Sequence, residues 1–229
     1  MVILAYSTIS DMLSIALFNQ REKKPFVVFQ ESVFREHATV LIPRIQDFLR
    51  KENLTFEDIG AIAVCSGPGS FTGARIGCAA ALGFSAFKEI PLLGINTFQM
   101  YAKYLFEKDG VQHRPCLILL KSGHDELCVA SLDVNLLPVP GLFEKPQCLE
   151  KESFLNLIKK DKTPYIIAGD AFFTQEEIKG IPLKYNCILD QDIILAEWVG
   201  KAAITLMDQN IYPPMTPLYV KPAYVKIPQ

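Results

Sequence analysis

At 229 residues, half of them apolar, the chain can bury one large core or two smaller ones, and 21% charged residues of mixed sign exclude a disordered polymer. A formal net charge of −2 and a pI of about 6.0 exclude a global basic field for gripping nucleic acid, so any such role must be indirect or lent by a partner. The start, MVILAYSTIS, carries no basic segment or small-residue cleavage site, and the longest uncharged apolar stretch, 76–87, is too short to cross a bilayer.

Residues 2–7 are β-rich, Ile9 to Asp11 can turn, and 12–18 resume the apolar pattern; 25–30 (PFVVFQ) supply a third strand. An amphipathic helix is expected over 34–51, with Leu41, Ile45, Phe48 and Leu49 at helical spacing and Arg44, Asp47 and Arg50 opposite. Pro43 inside it should start a turn or a kink. A buried strand, 61–65, runs into the glycine-rich SGPGSFTG. After it come a helix over 74–88 that is apolar nearly all round, a strand at 91–95 and a helix at 97–106. The order β-β-β-α-β-α-β-α is that of a ribonuclease-H-like or actin-like lobe.

A looser echo follows. Residues 116–120 and 126–132 read as a hairpin around Gly123-His124-Asp125, 152–160 as a helix and 165–168 as a strand. Thr174 to Glu177 has the capping-box pattern of a helix start. A long helix is expected at 192–208, then an extended Pro-rich tail. The fold class is α/β, two-lobed, actin-like/ribonuclease-H-like (ASKHA). The expected domains are 1–105, carrying the glycine-rich motif and partner helices, and 106–229, a diverged lobe with the C-terminal helix and tail.

The glycine-rich segment follows a strand and opens a helix, a place where phosphates often bind. Its spacing fits neither phosphate fingerprint. G-x-G-x-x-G would need glycine where Thr72 stands, and the Walker A pattern lacks its lysine. The alternative is a tight strand-to-helix turn with Ser70 or Thr72 capping the helix.

The run SGPGSFTGARIGCAAALGFS, followed by IPLLGINTF, resembles the signature of the bacterial TsaB (YeaZ) family, whose pattern is roughly G-P-G-S-F-T-G-x-R-I-G. The match carries over to Gly67, Pro68, Gly69, Ser70, Phe71, Thr72, Gly73 and Arg75. The first hairpin, the Leu41-Ile42-Pro43 helix and the ending Pro217 to Lys221 resemble the family in order; the likeness is dense to about residue 105 and thin from 110 to 210. It implies a non-catalytic dimerization subunit of the machinery that places threonylcarbamoyl on N6 of the tRNA adenosine beside the anticodon. The implied partners are a catalytic actin-like paralogue (TsaD) and a small ATPase (TsaE), with tRNA met only through the complex and a second copy as a possible substitute. The location implied is cytoplasmic, with no membrane partner.

Two departures matter. Where the family has I-D-T in the first strand, this chain has Tyr6-Ser7-Thr8, and Ser7 cannot supply the carboxylate that holds Mg²⁺ in an ATPase of this fold. Where relatives carry an Asp before the second hairpin, this chain has Lys121 and Gly123. The first, with the missing phosphate loops and the missing metal pair, weighs against the alternative of an independent enzyme, an ATPase, kinase or metallopeptidase of the same fold.

The remaining candidates are weaker. His37, His113 and His124 have no metal spacing, so no metal, cofactor or catalytic residue is assigned. His37 is expected at the surface or as a cap, and His124-Asp125 as a solvated turn. Cys65 and Cys78 sit in apolar elements, and all six cysteines are expected to stay reduced. Trp198 reads as an aromatic anchor. Arg75, facing the positive end of a helix dipole, calls for an anion: Glu57, Asp58 or a carboxylate from the partner. The expected partner interface is the face of small residues Ala74, Gly77, Cys78, Ala81 and Ser85, with Leu41 and Ile45 of the preceding helix.

Overall fold

The computed structural model describes residues 1–108, 114–161, 163, 165–170, 184–188 (backbone), 193 and 195–221. The chain divides into two units: unit 1 is Met1–Lys103 with Asp192–Leu218, and unit 2 is Tyr104–Gln191 with Tyr219–Gln229.

Unit 1 begins with β1 (Val2–Ser7), β2 (Met12–Asn19) and β3 (Pro25–Ser32). It continues with α1 (His37–Lys51), β4 (Ile59–Gly67), α2 (Phe71–Ser85), β5 (Leu92–Asn96) and α3 (Thr97–Lys108), within which the unit boundary falls. The strands lie in the order β3-β2-β1-β4-β5. β1 is antiparallel to β2 and parallel to β4. Strand alternation divides the apolar residues between two faces. Leu4, Tyr6, Leu13, Ile15 and Leu17 meet Leu41, Ile45, Phe48 and Leu49 of α1 and Cys78 and Ala81 of α2 in one core. Pro43 does not break α1, which runs through it.

The other face takes α5 (Leu195–Met207), which packs on β1, β2 and β4. Its Gly200 lies against the Phe18 ring, where a Cβ would come within 2.0 Å. The Ala196 N–H donates to Ser14 Oγ at 3.0 Å, and Trp198 is buried. The chain then crosses the strand ends: Gly94 N–H donates to Pro213 O, Leu218 N–H donates to Ser66 O, and Met215 enters the core. This corrects the expected second domain of 106–229. α5 is apolar apart from a half-buried stripe of Glu197, Lys201 and Thr205 at four-residue steps, so its wide apolar side needs cover, and the second face of the first sheet supplies it.

Unit 2 contains β6 (Cys116–Lys121), β7 (Glu126–Leu132), β8 (Gln147–Glu150), α4 (Lys151–Ile158), β9 (Ile166–Gly169) and β10 (Lys184–Ile188). Its order is β10-β9-β6-β7-β8. β7 and β8 are antiparallel to their inner neighbours, while β9 and β10 run parallel to theirs. Leu117, Leu119, Leu127 and Val129 pack with Phe143, Phe154 and Ile158 in a separate core. The hairpin and α4 match expectation; β8 and β10 are additions, and the expected helix start at Thr174 lies outside the described residues. The structure joins Cys128 and Cys148 in a disulfide, which corrects the expectation of six reduced cysteines: the pairing of β7 with β8 sets these two directly opposite. Among the described residues, no helix is long and apolar enough to cross a membrane.

Candidate functional site

The glycine-rich segment is a packing device. Gly73 and Gly77 let α2 lie directly on β1: a Cβ at Gly73 would sit 1.8 Å from Thr8 O, and one at Gly77 2.6 Å from Thr8 Oγ1. Two hydroxyls close the contact. Thr8 donates to Gly73 O at 2.7 Å and Tyr6 to Gly77 O at 2.9 Å. Burial pushes the Tyr6 phenol well above its usual range, so it stays a donor. Gly67 has φ 94 at the strand end, Pro68 O accepts from the Thr97 hydroxyl, and Ser70 N–H donates to Ile9 O. Ser70, not Thr72, caps α2, its Oγ accepting from Gly73 N–H at 3.1 Å. The segment is thus the tight strand-to-helix turn that its spacing allowed. Ser7 is fully buried, so the position where a metal-holding carboxylate would stand is closed to solvent.

Arg75 lies with its guanidinium 3.8 Å from the centre of the Phe71 ring, a cation–π contact of two exposed side chains. Asp58, one of the anions expected to offset it, closes a capping box with Thr55 instead, and that pairing holds its carboxyl below the usual range.

The expected interface residues face inward. Ala74, Cys78 and Ala81 are buried within unit 1, as are Gly77, Leu41 and Ile45; only Ser85 among them is partly open. Small residues do allow close approach, and here the element approached is the molecule's own sheet. The opposite side of α2 is the one left uncovered. Phe87, just past its C-terminal end, is 93% exposed, and Ile42 of α1 is exposed as well; Phe71 and Leu82 of α2 and Phe34 before α1 are further exposed apolar side chains. Between the helices runs a groove of about 540 Å³, lined by Ala38, Leu41 and Ile42 of α1 and by Ile76, Ala79, Ala80, Gly83, Phe84 and Phe87 of α2 and its C-terminal end. Nothing lies within 4 Å of a Cβ built on Gly83, so the groove floor is open at that residue. A contiguous apolar surface walled by aromatic rings is a binding surface in the ordinary logic of soluble proteins. The sequence carried part of the signal: a helix apolar on every side must have two apolar faces, and side-chain size separates the two.

Other sequence candidates separate from this surface. His37 is buried rather than a surface or capping residue, and Glu36 occupies the cap. His124 and Asp125 are exposed at a hairpin tip, 3.2 Å apart, as a solvated turn. His113 lies outside the described residues. Burial raises the Cys65 thiol and pushes Cys78 up to about 11, which leaves both as inert core groups.

The model of the family "TsaD: tRNA N6-adenosine threonylcarbamoyltransferase" matches residues 17–137. The tRNA threonylcarbamoyladenosine biosynthesis protein TsaB of Escherichia coli (strain K12) is 36% identical over 110 residues, 48% of this chain and 46% of that protein. The match therefore spans just under half of that relative. TsaB of Buchnera aphidicola subsp. Schizaphis graminum (strain Sg) is 33% identical over 173 residues, covering 75% of this chain and 79% of that protein. The tRNA N6-adenosine threonylcarbamoyltransferase of Dehalococcoides mccartyi (strain CBDB1) is 35% identical over 107 residues, 45% of this chain and 32% of that protein. Among solved structures, YeaZ from Pseudomonas aeruginosa superposes with a TM-score of 0.66 at 20% identity, covering 96% of this chain and all of that one. A ROK family protein from Streptococcus pneumoniae TIGR4 in complex with sucrose gives 0.51 at 10% identity, over 92% and 99%. These two likenesses show the fold, an actin-like/ribonuclease-H-like one.

Proposed function

Because the chain belongs to the TsaB (YeaZ) family, we propose that it serves threonylcarbamoyladenosine biosynthesis in tRNA as a non-catalytic subunit, docking its α1–α2 groove on a catalytic subunit of the TsaD type. The groove with its exposed aromatic rim carries this reading. The TsaD family model matches residues 17–137, which include α1 and α2, so a partner of that kind would present equivalent helices. Helix against helix would give a dry apolar centre with a polar rim. The buried Ser7 and the glycine segment committed to internal packing support assigning the transfer chemistry to the partner. A TsaE-type ATPase joins the pair, tRNA is met through the assembly, and the complex works in the cytoplasm.

Gly83→Glu tests it. The site is an exposed helix position with open space, where replacing glycine should raise helix stability by roughly 0.5–1 kcal/mol. The variant should therefore keep or raise its Tm, and a carboxylate in the dry centre should weaken binding of a purified TsaD-type subunit at least about a hundredfold. Unchanged affinity, measured by titration calorimetry, would put the docking surface elsewhere. Loss of self-association with unchanged heteromeric binding would assign the groove to a second copy.

A further inference from the structure

The geometry points to a second site in unit 2: Cys128 and Cys148 form a reversible dithiol–disulfide clip that reacts with small disulfides and fastens the edge strand β8. The two residues stand directly opposite each other between Leu127↔Leu149 and Val129↔Gln147 in the antiparallel ladder, and their sulfurs are joined. Leu127, Val129 and Leu149 pack with the α4 core, so alternation places both cysteines on the other face of the sheet. Cys128 is buried and Cys148 is half-buried on the outermost strand, which makes Cys148 the sulfur that solvent reaches first. The other described cysteines, Cys65, Cys78 and Cys116, are buried, and burial raises each thiol above its usual range. Reactivity needs thiolate and access, so among the described cysteines it is confined to the pair.

What the clip would fasten is short. β8 has four residues, one strand neighbour, and passes straight into α4, whose first N–H, that of Lys151, donates to Asp125 O. The bond closes a loop of sequence separation 20 between β7 and β8. The reaction is thiol–disulfide exchange. Cys148 thiolate attacks one sulfur of a small disulfide RSSR, forming a mixed disulfide and releasing RS⁻. Cys128 thiolate then attacks the Cys148 sulfur and expels the second RS⁻. Two protons leave the cysteines for the two released thiolates, and two electrons pass from the pair to RSSR, giving the protein disulfide and 2 RSH. Excess RSH reverses both steps.

The test uses the full chain equilibrated in mixtures of glutathione and glutathione disulfide, quenched in acid, alkylated and mapped by mass spectrometry. Expected is a single two-electron transition yielding a Cys128–Cys148 cross-linked peptide, with Cys65, Cys78 and Cys116 alkylated only after denaturation. Amide exchange across Gln147–Glu150 should slow in the oxidised form. Cys128→Ser should accumulate one glutathione on Cys148, whereas Cys148→Ser should accumulate none on Cys128. Oxidation that leaves both thiols free, or that joins either to Cys187, would overturn the clip. So would a Cys128–Cys148 bond that excess glutathione does not open in the folded protein, since that bond would be a fixed brace.

Discussion

Both units thread five strands in the same spatial order, with the same pattern of antiparallel and parallel neighbours, yet they use their helices differently. In unit 1 the two helices on one sheet face have 15 residues each, and α2 has an inner apolar face of small residues and an outer one of large ones. In unit 2, α4 has 8 residues and turns Phe154, Leu155 and Ile158 inward. A short amphipathic helix completes its core and stops. A helix apolar on both faces completes a core and leaves a second apolar surface over, which unit 1 carries as the α1–α2 groove. The strand order follows from alternation and connection length; the binding surface follows from side-chain size around one helix.

The strongest way to break this comparison is to charge each face of α2 in turn, using neighbouring residues. Ala81 is wholly buried against the sheet, so Ala81→Arg strands an unpaired charge in the core and should cost about 4 kcal/mol or more, enough to abolish folding. Leu82 is 51% exposed, so Leu82→Arg should change stability by no more than about 0.5 kcal/mol. Denaturant titration of the two variants reads the difference directly. Equal stabilities would mean that α2 does not separate an inner from an outer face.

That pair also marks how far the sequence could be read. The flanking strands and the order of the first lobe were legible, α1 from apolar residues at helical spacing and α2, which runs over Phe71–Ser85 rather than 74–88, from a long apolar run opened by a glycine-rich turn. The direction of α2 was not. Its apolar residues run all round, so nothing in the pattern says which face the sheet takes. The answer lies in long-range contacts, Thr8 with Gly73 and Tyr6 with Gly77, across 65 and 71 residues of chain. The return of α5 to the first sheet was hidden for a related reason: its apolar side shows that it packs on something but does not name the neighbour. β8 was missed because its four residues, QCLE, two half-buried between two exposed, show no alternation to detect.

Unit 2 can be tested for independence. Phe154 is fully buried and stacks beside Phe143 with ring centroids 5.6 Å apart. Phe154→Ala should destabilise by about 3–5 kcal/mol, and the loss should be local to this unit's own core. Hydrogen exchange should rise across β6, β7 and α4 while β1 and β4 keep their protection. A uniform rise over the whole chain would show that the two units open as one cooperative block.

A smaller effect is expected at the start of α2. Ser70 caps the helix through Gly73 N–H, and Ser70→Ala should cost about 1 kcal/mol. The same variant should leave a glycine-loop contact, the Thr97 hydroxyl to Pro68 O, in place. A loss of several kcal/mol in thermal or chemical unfolding would instead make Ser70 part of a larger network than the cap alone.

The smallest effect concerns the edge of unit 1, where Arg44 of α1 grips Glu31 of β3 through two hydrogen bonds, Nε at 2.7 Å and Nη2 at 2.9 Å. The hydrogen bond from Arg44 is the main reason that the Glu31 carboxyl is held below its usual range. A folded-state pKa below the unfolded one means that the unfolded chain takes up the proton first. The pair's contribution is therefore present above the ordinary glutamate pKa and is lost as pH falls through the depressed folded value. Arg44→Gln removes the charge and keeps a donor. At neutral pH it should be slightly less stable than the parent, and the gap should close on acidification, while added salt should narrow it at neutral pH because both groups are partly exposed. A Tm difference that widened as the pH fell would mean that Glu31 is better accommodated protonated, and that β3 is tied to α1 by apolar contact alone.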